Sequence, residues 1–264
     1  MNQLPYPLSF MHKYNLHKWL GLTIADDDLR SIARVYGVRR GELDRIERRF
    51  RANVERLAAA LPPGAPKPLD RPLKFLALGD SISSDRESYA RILNRYWRQD
   101  PQRRFLDCAV SGDTTSDLLN RFYDTVANQS FDWVVLFIGT NDCRQLDDPA
   151  RITTISLEEF RRNLDYLTDR FLEKGKRIVL VTLPPADNAR FRAFFPDSGN
   201  CYDAGHLDKA NRALRELAAQ KKLGLADLAA AIQAQDQDVL EPDGLHMNST
   251  GHLILCRLLL EMLP

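Results

Sequence analysis

The chain has 264 residues, of which 44% are hydrophobic and 28% are charged, and its formal net charge at pH 7 is +1. These values are typical of soluble globular proteins and give no electrostatic reason to expect nucleic acid as a partner. Residues 1–20 lack the uninterrupted apolar run of a secretory signal, and no stretch has the roughly 18 apolar residues of a membrane span. We therefore expect a cytoplasmic protein without a transmembrane segment.

Residues 26–60 have apolar side chains at helical spacing, and Gly37 is placed to divide the run into two helices. We therefore predict a helical N-terminal region over residues 1–60, either as a cap on the main domain or as an arm that forms a homo-oligomer. Residues 29–46 also resemble a helix-turn-helix weakly, which leaves a DNA-binding regulatory role as an alternative. Acidic residues dilute the positive charge of this stretch, so we favour the cap or arm.

Residues 61–72 contain five prolines and one glycine. Such a composition is incompatible with a regular helix or a central strand. We predict a linker here, followed by a single main domain over residues 73–264.

The main domain alternates short apolar runs with stretches of helical spacing. The predicted strands are 73–79, 104–110, 133–138, 177–183 and, more weakly, 223–226, and the predicted helices are 88–98, 114–126, 157–173, 207–221 and 249–262. This alternation is typical of an α/β fold with a mostly parallel sheet covered by helices on both faces.

Polar motifs follow the predicted strands at the point where each strand ends. Gly-Asp-Ser occupies 79–81, Ser-Gly-Asp occupies 111–113, Gly-Thr-Asn-Asp occupies 139–142, and Asp-Gly-Leu-His at 243–246 precedes the last helix. Ligand sites of open parallel sheets lie beyond the carboxyl ends of the strands. We therefore expect these four motifs to meet at one edge of the sheet.

A serine, a histidine and an aspartate among these motifs are the groups that activate a hydroxyl for nucleophilic attack. The Ser81 hydroxyl is a poor nucleophile near neutral pH unless a neutral imidazole accepts its proton, and His246 is the candidate base. Asp243 precedes His246 by three positions, so one turn can bring its carboxylate to the imidazole Nδ1–H. Gly244 would ease that turn.

The four motifs resemble the conserved blocks of the SGNH or GDSL hydrolase superfamily over about residues 73–262. The resemblance implies a three-layer α/β/α sandwich with a five-stranded mostly parallel sheet. It also implies that Ser81 is the nucleophile, His246 the general base and Asp243 its orienting carboxylate, with Ser81, Gly112 and Asn141 as oxyanion-hole donors. Such chemistry needs no cofactor and no metal.

The residue types suit the roles that the resemblance implies. Glycine at 112 lets the backbone N–H approach a developing oxyanion without a Cβ in the way. Asn141 supplies neutral N–H donors, whereas an aspartate would repel the negative charge. Each residue taken alone also fits an ordinary structural role, such as a helix cap for Ser81 or a turn for Gly112.

Two further features of the sequence concern the surroundings of the predicted site. The superfamily often has an asparagine shortly before the glycine of the second motif, whereas residues 107–111 here are Asp-Cys-Ala-Val-Ser, so the hydrogen bonds of this stretch are expected to differ. The long connection 184–206 carries Phe191, Phe194 and Phe195 after the fourth predicted strand. These aromatic residues are candidates for an acyl-binding wall or a mobile lid, and an ordinary packed loop is the alternative.

Cysteine usage adds no further chemistry. The four cysteines lack the spacing of a zinc site or of a disulfide framework; they are Cys108, Cys143, Cys201 and Cys256.

The sequence thus predicts a metal-independent serine esterase that acts through an acyl-enzyme on a carboxylic ester or thioester of a small molecule, carbohydrate or lipid. An acyltransferase using the same site is an alternative, as is a non-catalytic binding or regulatory protein that keeps the scaffold. A binding scaffold has no need of a nucleophile, a base and oxyanion donors together, which favours catalysis.

Overall fold

A computed structural model describes residues 6–21, 24–63, 68–235 and 237–264 of the chain. The strands are β1 (Leu73–Gly79), β2 (Arg103–Asp107), β3 (Trp133–Phe137), β4 (Arg144–Leu146), β5 (Arg177–Val181), β6 (Asn200–Tyr202) and β7 (Gly224–Ala226). Five of them form a sheet in the order β2-β1-β3-β5-β7, and every neighbouring pair in it is parallel. The strand order reverses between β1 and β3, where open parallel sheets bind their ligands.

Helices cover both faces of the sheet. They are α1 (Leu8–Lys13), α2 (Leu29–Tyr36), α3 (Arg40–Ala59), α4 (Ser81–Ser84), α5 (Tyr89–Tyr96), α6 (Thr115–Asn120), α7 (Leu157–Glu173), α8 (Asn188–Phe194), α9 (Ala204–Lys221), α10 (Leu228–Gln233) and α11 (Ser249–Met262). In one layer α5 packs against β2 and α11 packs against both α5 and β7, while in the other α7 and α9 pack against β5. The predicted three-layer α/β/α architecture with a five-stranded parallel sheet is therefore confirmed.

The central strands are buried on both faces, which explains their unbroken apolar sequences. Phe75, Leu76, Ala77 and Leu78 of β1 have no exposed surface, as expected for strands between two helical layers. Strand β2 ends earlier than predicted, at Asp107, because the Asp107 carboxylate accepts a 3.0 Å hydrogen bond from the backbone N–H of Ala109 and begins a turn.

Two helices have the bounds predicted from helical spacing. Helices α7 and α11 coincide with the predicted ranges 157–173 and 249–262. The predicted helix 114–126 is divided into α6 and a π-helical turn, Phe122–Val126. Thr114 and Asp117 form a capping box that fixes the start of α6.

The connection 184–206 contains more regular structure than predicted. It forms α8 and then β6, which pairs with β4 in an antiparallel two-stranded ribbon outside the main sheet. Strands of three residues are too short to leave a periodic signal in the sequence.

The N-terminal region packs against the sheet domain. Helices α2 and α3 are separated at Gly37, as predicted. Helix α1 and the 3₁₀ helix Leu16–Leu20 also lie in the predicted helical region 1–60, although no individual helix was predicted before residue 26. Helix α3 packs against α5, and Leu57 and Leu61 belong to the same hydrophobic core as the sheet. Residues 64–67 of the predicted linker lie outside the described residues.

Arg86 ties the N-terminal helices to the loop between α4 and α5. Its guanidinium is buried, donates to the backbone carbonyl oxygens of His12 and Asp26, and pairs with Glu47 at 2.9 Å. Burial opposes ionisation of Glu47, but His12 and Arg86 outweigh it and lower the pKa of that carboxyl to about 2. The N-terminal region is thus joined to the domain by charged as well as apolar contacts.

The buried imidazole of His17 is expected to make the stability of the protein depend on pH. Burial, with the nearby charge of Arg86, lowers the pKa of His17 to about 4; its Nδ1 lies 3.2 Å from the Tyr36 hydroxyl. Between pH 6.5 and 4 the unfolded chain binds a proton at His17 that the folded chain does not bind, so this residue's contribution to stability falls as pH falls. We expect wild type to lose on the order of 1 to 2 kcal/mol relative to His17→Gln between pH 7 and pH 5.

Thermal unfolding of wild type and His17→Gln at pH 7, 6 and 5 measures the contribution of His17 to stability. The other titrating groups are common to both proteins, so their effects cancel in the difference between the two melting temperatures. A difference in melting temperature that stays constant over this range would contradict the assignment.

Among the described residues no helix is both long and apolar enough to cross a bilayer.

Candidate active site

Ser81 is the first residue of α4, directly after β1 and Asp80. Asp80 caps this short helix, since its carboxylate accepts a 3.0 Å hydrogen bond from the backbone N–H of Ile82. The Ser81 side chain is partly exposed, and its Oγ lies 2.8 Å from Nε2 of His246. The Ser81 hydroxyl thus lies at the carboxyl edge of the sheet, just after β1, and within hydrogen-bond distance of the His246 imidazole.

His246 and Asp243 form the second contact of the predicted triad. His246 Nδ1 lies 2.7 Å from Asp243 Oδ2. An ionised carboxylate only accepts hydrogen bonds, so Nδ1 carries the proton and Nε2 is left to accept the proton of the Ser81 hydroxyl. The chain from Ser81 through His246 to Asp243 is continuous.

The surroundings of Asp243 favour its charged form. Burial alone would raise the pKa of this carboxyl, but the charge and ring hydrogen bond of His246, with the backbone N–H groups of His246 and Leu245, lower it below its ordinary value. Both backbone N–H groups donate to Asp243 Oδ1 at 2.9 Å. Asp243 is therefore ionised across the neutral pH range and fixed in its orientation.

The turn that joins Asp243 to His246 depends on Gly244. Its φ of 70° lies in the left-handed region that favours glycine. A Cβ at this position would lie 2.4 Å from the carbonyl oxygen of Asp187, which precedes α8. The carbonyl oxygen of Gly244 in turn accepts a 2.7 Å hydrogen bond from the Asp187 N–H. The turn that carries His246 is thus packed directly against the start of α8.

Gly112 lies on the loop that follows β2. The N–H of Val110 donates to the carbonyl oxygen of Gly79 at 3.1 Å, so the chain leaving β2 still runs alongside β1 two residues before Gly112. Gly112 is exposed and has a φ of 86°, a conformation that a residue with a side chain rarely adopts. Its backbone is therefore accessible to solvent on the loop that follows β2.

Asn141 follows β3 on the other side of β1. Its side chain is buried, and its Nδ2 donates a 3.0 Å hydrogen bond to the carbonyl oxygen of Asp113, the residue after Gly112. A carboxamide has two N–H groups, so one hydrogen remains for a further acceptor. The loops after β2 and β3 are thus joined by a hydrogen bond at the carboxyl edge of the sheet.

Two buried carboxyl groups fix these same loops. Burial raises the pKa of Asp113 to about 6, against the opposing effect of Arg121, whose Nε lies 2.6 Å from Oδ2. Burial likewise raises the pKa of Asp142 to about 6, although Thr115 donates both its N–H and its hydroxyl to that carboxylate. Both side chains therefore hold the loops of the site in place.

Asp80, which precedes Ser81, is buried. Burial raises its pKa to about 7, although the N–H of Ile82 and the charge of His246 oppose the shift. Its Oδ2 has no hydrogen-bond partner among the described residues. The site therefore holds a carboxyl group that is easily protonated next to Ser81.

Within the ranges 6–21, 24–63, 68–235 and 237–264, no group of three or more His, Cys, Asp or Glu side chains is arranged to hold a metal ion.

A protein-family model matches most of the main domain. Residues 77–254, more than half of the chain, match the model of the GDSL-like lipase/acylhydrolase family. The chain belongs to this family. It is an SGNH/GDSL-type esterase, a hydrolase of ester bonds, which confirms the resemblance carried by the four motifs.

Individual relatives agree with membership of the GDSL-like family. An acetylxylan esterase from Geobacillus stearothermophilus is 27% identical over 165 residues, which cover 60% of this chain and 71% of that protein. The crystal structure of a lipase/acylhydrolase from Enterococcus faecalis is 26% identical, with a TM-score of 0.58 over 72% of this chain and 94% of its own.

The crystal structure of an acetylxylan esterase from Geobacillus stearothermophilus is 22% identical, with a TM-score of 0.57 over 72% of this chain and 94% of its own. At this identity the likeness concerns the fold alone. The family match begins at residue 77, so the N-terminal region lies outside it.

The aromatic residues predicted as substrate contacts occupy two places near the GDSL-family site. Phe194 is partly exposed and Phe195 packs edge-to-face against it, with ring centroids 4.8 Å apart. Phe191 is buried in a small cluster with Tyr202 and Leu245. Phe191 thus supports α8 from beneath, whereas the other two rings remain near the surface.

Two aromatic residues of the N-terminal region also lie at the GDSL-family site. The Phe10 ring lies 5.5 Å from that of Phe194 and 5.8 Å from the imidazole of His246. The Tyr14 ring stacks on the same imidazole with centroids 3.9 Å apart. Sequence reasoning missed both residues, because six helical residues after a proline leave no periodic pattern.

The stretch 107–111, which lacks the asparagine frequent in the family, also contacts the N-terminal region. Asp107 Oδ2 lies 3.0 Å from Lys18 Nζ and 3.5 Å from Arg91 Nη2. The Asp107 carboxylate thus forms ion pairs with two cations, and one of them, Lys18, belongs to the N-terminal region.

Proposed function

We propose that the protein cleaves a carboxylic ester through an acyl-enzyme formed on Ser81. In this proposal His246 is the general base, Asp243 orients it, and the N–H groups of Ser81, Gly112 and Asn141 form the oxyanion hole. The observation that supports it most directly is the hydrogen-bonded chain of 2.8 Å from Ser81 Oγ to His246 and 2.7 Å from His246 to Asp243.

Acylation follows from the positions of these atoms. Ser81 Oγ attacks the ester carbonyl carbon while its proton moves to His246 Nε2. The imidazolium then gives this proton to the leaving alcohol oxygen as the carbon–oxygen bond breaks. The ionised Asp243 carboxylate stabilises the positive charge on the ring in between.

Deacylation repeats these steps with water. A water molecule attacks the acyl carbon and gives a proton to His246 Nε2, which returns it to Ser81 Oγ as the acid leaves. In both half-reactions the carbonyl oxygen becomes negative, and the N–H donors stabilise it because they are already oriented when the charge develops.

The aromatic residues around the site are proposed as the substrate-binding wall. Phe194 and Phe195 approach Phe10, which in turn lies against His246, so apolar surface continues from α8 to the catalytic base. A wall of this kind suits the acyl group or the apolar part of the alcohol. Phe191 would act indirectly by supporting α8.

Acetyl esters of carbohydrates are the first substrates to test, because one relative is named an acetylxylan esterase. A panel should pair p-nitrophenyl esters of two to eight acyl carbons with acetylated xylo-oligosaccharides. A fluorophosphonate probe followed by peptide mass spectrometry identifies the reactive residue, which we expect to be Ser81. Labelling at another serine would contradict the proposed nucleophile.

The oxyanion role of Asn141 makes its own prediction. We expect Asn141→Ala to lower kcat by roughly 10²- to 10³-fold with little change in KM, because the lost donor acts mainly in the transition state. Steady-state kinetics with p-nitrophenyl acetate measure both constants.

Asn211→Ala is the matched control, since Asn211 is equally buried and bonds the backbone of Leu183 through both ends of its amide. This variant should lose stability but keep its kcat. If both variants lose kcat to the same degree, the loss reflects folding and Asn141 is not an oxyanion donor.

A further inference from the structure

Residues 6–18, named here the N-terminal segment, lie across the site although the family match does not include them. The segment contacts residues close to three of the four motifs, those at 79–81, 111–113 and 243–246. These contacts join Asn15 to Ser84, Tyr14 to Ser111 and His246, Lys18 to Asp107, and Lys13 to Glu241. One short stretch of chain thus bridges parts of the site that are far apart in sequence.

The contact of Tyr14 with His246 has a specific geometry. The two ring centroids are 3.9 Å apart and the ring planes differ by 22°, so the phenol covers one face of the imidazole. Both side chains are buried, with 2% of Tyr14 and 5% of His246 exposed. Phe10 packs edge-to-face against both rings, with its centroid 4.9 Å from that of Tyr14 and 5.8 Å from that of His246.

The backbone of Tyr14 is fixed by the second motif, residues 111–113. The hydroxyl of Ser111, the residue before Gly112, donates to the carbonyl oxygen of Tyr14. Next along the chain, Asn15 is fully buried and its Nδ2 donates at 2.6 Å to the carbonyl oxygen of Ser84, at the end of α4. Tyr14 is therefore held relative to the helix that begins with the nucleophile.

Lys13 fixes the same segment to the loop of the base. Its Nζ lies 2.7 Å from Glu87 and 2.9 Å from Glu241, with Asp85 at 3.5 Å. Burial disfavours the ammonium, but these carboxylates outweigh it and raise the pKa of Lys13. The backbone N–H of Glu241 donates at 2.7 Å to the carbonyl oxygen of His246, so the ion pairs hold the turn that carries the base.

We propose that Tyr14 is a positioning residue for His246, an inference that rests on the proposed role of His246 as the base. The hydrogen bond to Asp243 fixes one ring nitrogen but leaves the imidazole plane free to tilt about it. The stacked phenol removes that freedom and keeps Nε2 aimed at Ser81 Oγ. Its π face also favours the imidazolium that forms during attack.

The test compares Tyr14→Leu with Tyr14→Phe. The leucine variant should lose roughly tenfold in kcat, with KM changed less than twofold, because the stacked ring is replaced by a side chain that cannot restrain the imidazole plane. The phenylalanine variant keeps the ring and should retain at least half of the wild-type kcat. The rate of fluorophosphonate labelling at Ser81 should follow kcat in both variants.

Tyr36→Leu separates positioning from loss of stability. Tyr36 is also a buried tyrosine of the N-terminal region, and its hydroxyl bonds the Met11 carbonyl oxygen, but it does not contact His246. This variant should have a lower melting temperature and a wild-type kcat when assayed well below that temperature. Tyr14→Met, which also lacks a ring, replaces Tyr14→Leu if the latter does not fold.

Wild-type kcat in the folded Tyr14→Leu or Tyr14→Met protein would overturn the proposal, as would an equal loss in Tyr36→Leu. Failure of the proposed function can be told apart from failure of the positioning role of Tyr14. If the proposed function is wrong, Ser81→Ala keeps its activity and the labelling of Ser81 does not follow kcat in any variant.

Discussion

Replacing Ser81 by alanine is expected to lower kcat for p-nitrophenyl acetate by at least about 10⁴-fold. The substitution removes the Oγ that His246 Nε2 faces at 2.8 Å, so no acyl-enzyme forms. The backbone N–H of residue 81 and the cap by Asp80 remain, so we expect the melting temperature to change by no more than a few degrees. Covalent labelling by the fluorophosphonate should be abolished, while a chelator should leave wild-type turnover unchanged.

Ser83→Ala is the control on the same short helix. Ser83 is buried and its Oγ lies 3.3 Å from the Tyr89 hydroxyl, away from His246. We expect this variant to keep a kcat within about threefold of wild type. Turnover in Ser81→Ala that matches turnover in Ser83→Ala would remove Ser81 as the nucleophile and with it the proposed mechanism.

The sheet and the edge at which the site lies could be predicted from the sequence, because both follow from local patterns. Buried parallel strands such as β1 and β3 are short apolar runs bounded by turns, and the intervening helices have amphipathic spacing. Once the strands are placed, the carboxyl-edge rule brings the motifs at 79–81, 111–113 and 139–142 together without further information. The sequence alone is therefore enough to nominate Ser81, Gly112 and Asn141 as neighbours.

The N-terminal contribution to the site could not be predicted in the same way. Helix α1 has six residues and the segment around Tyr14 has no repeating apolar pattern, so its place depends on tertiary contacts alone. Those contacts join residues distant in the chain, such as Lys13 with Glu241 and Asn15 with Ser84. Neither propensity nor periodicity records pairing of that kind.

The stretch 107–111, which lacks the asparagine frequent in the superfamily, illustrates the same point. An aspartate at 107 adds a charge near the second block, and only the structure shows that Lys18 and Arg91 neutralise it. A chain that places Lys18 beside Asp107 and Tyr14 beside His246 makes its N-terminal segment part of the site's support. Substitutions in this segment are therefore expected to affect activity, although the family match begins at residue 77.

Replacing Asp243 by asparagine is expected to lower kcat by about 10³- to 10⁴-fold with little loss of stability. The asparagine oxygen can still accept the backbone N–H groups of Leu245 and His246, as Asp243 Oδ1 does at 2.9 Å. Its amide N–H then faces Nδ1, which must accept, so the ring proton moves to Nε2. The base thus presents a proton to Ser81 and cannot take one.

Proton NMR provides a second measurement for Asp243→Asn, because a short Nδ1–H hydrogen bond to a carboxylate gives a far-downfield signal that the variant should lose. Asp238→Asn is the matched control on the same loop, since Asp238 is exposed and pairs with Arg190 at 2.9 and 3.0 Å. It should keep both the signal and a kcat within about twofold of wild type. A kcat for Asp243→Asn within tenfold of wild type would show that another group orients His246. Because Asp243 is ionised well below neutral pH, a full loss in the variant at pH 7 and above would reflect the altered tautomer and not a change in protonation.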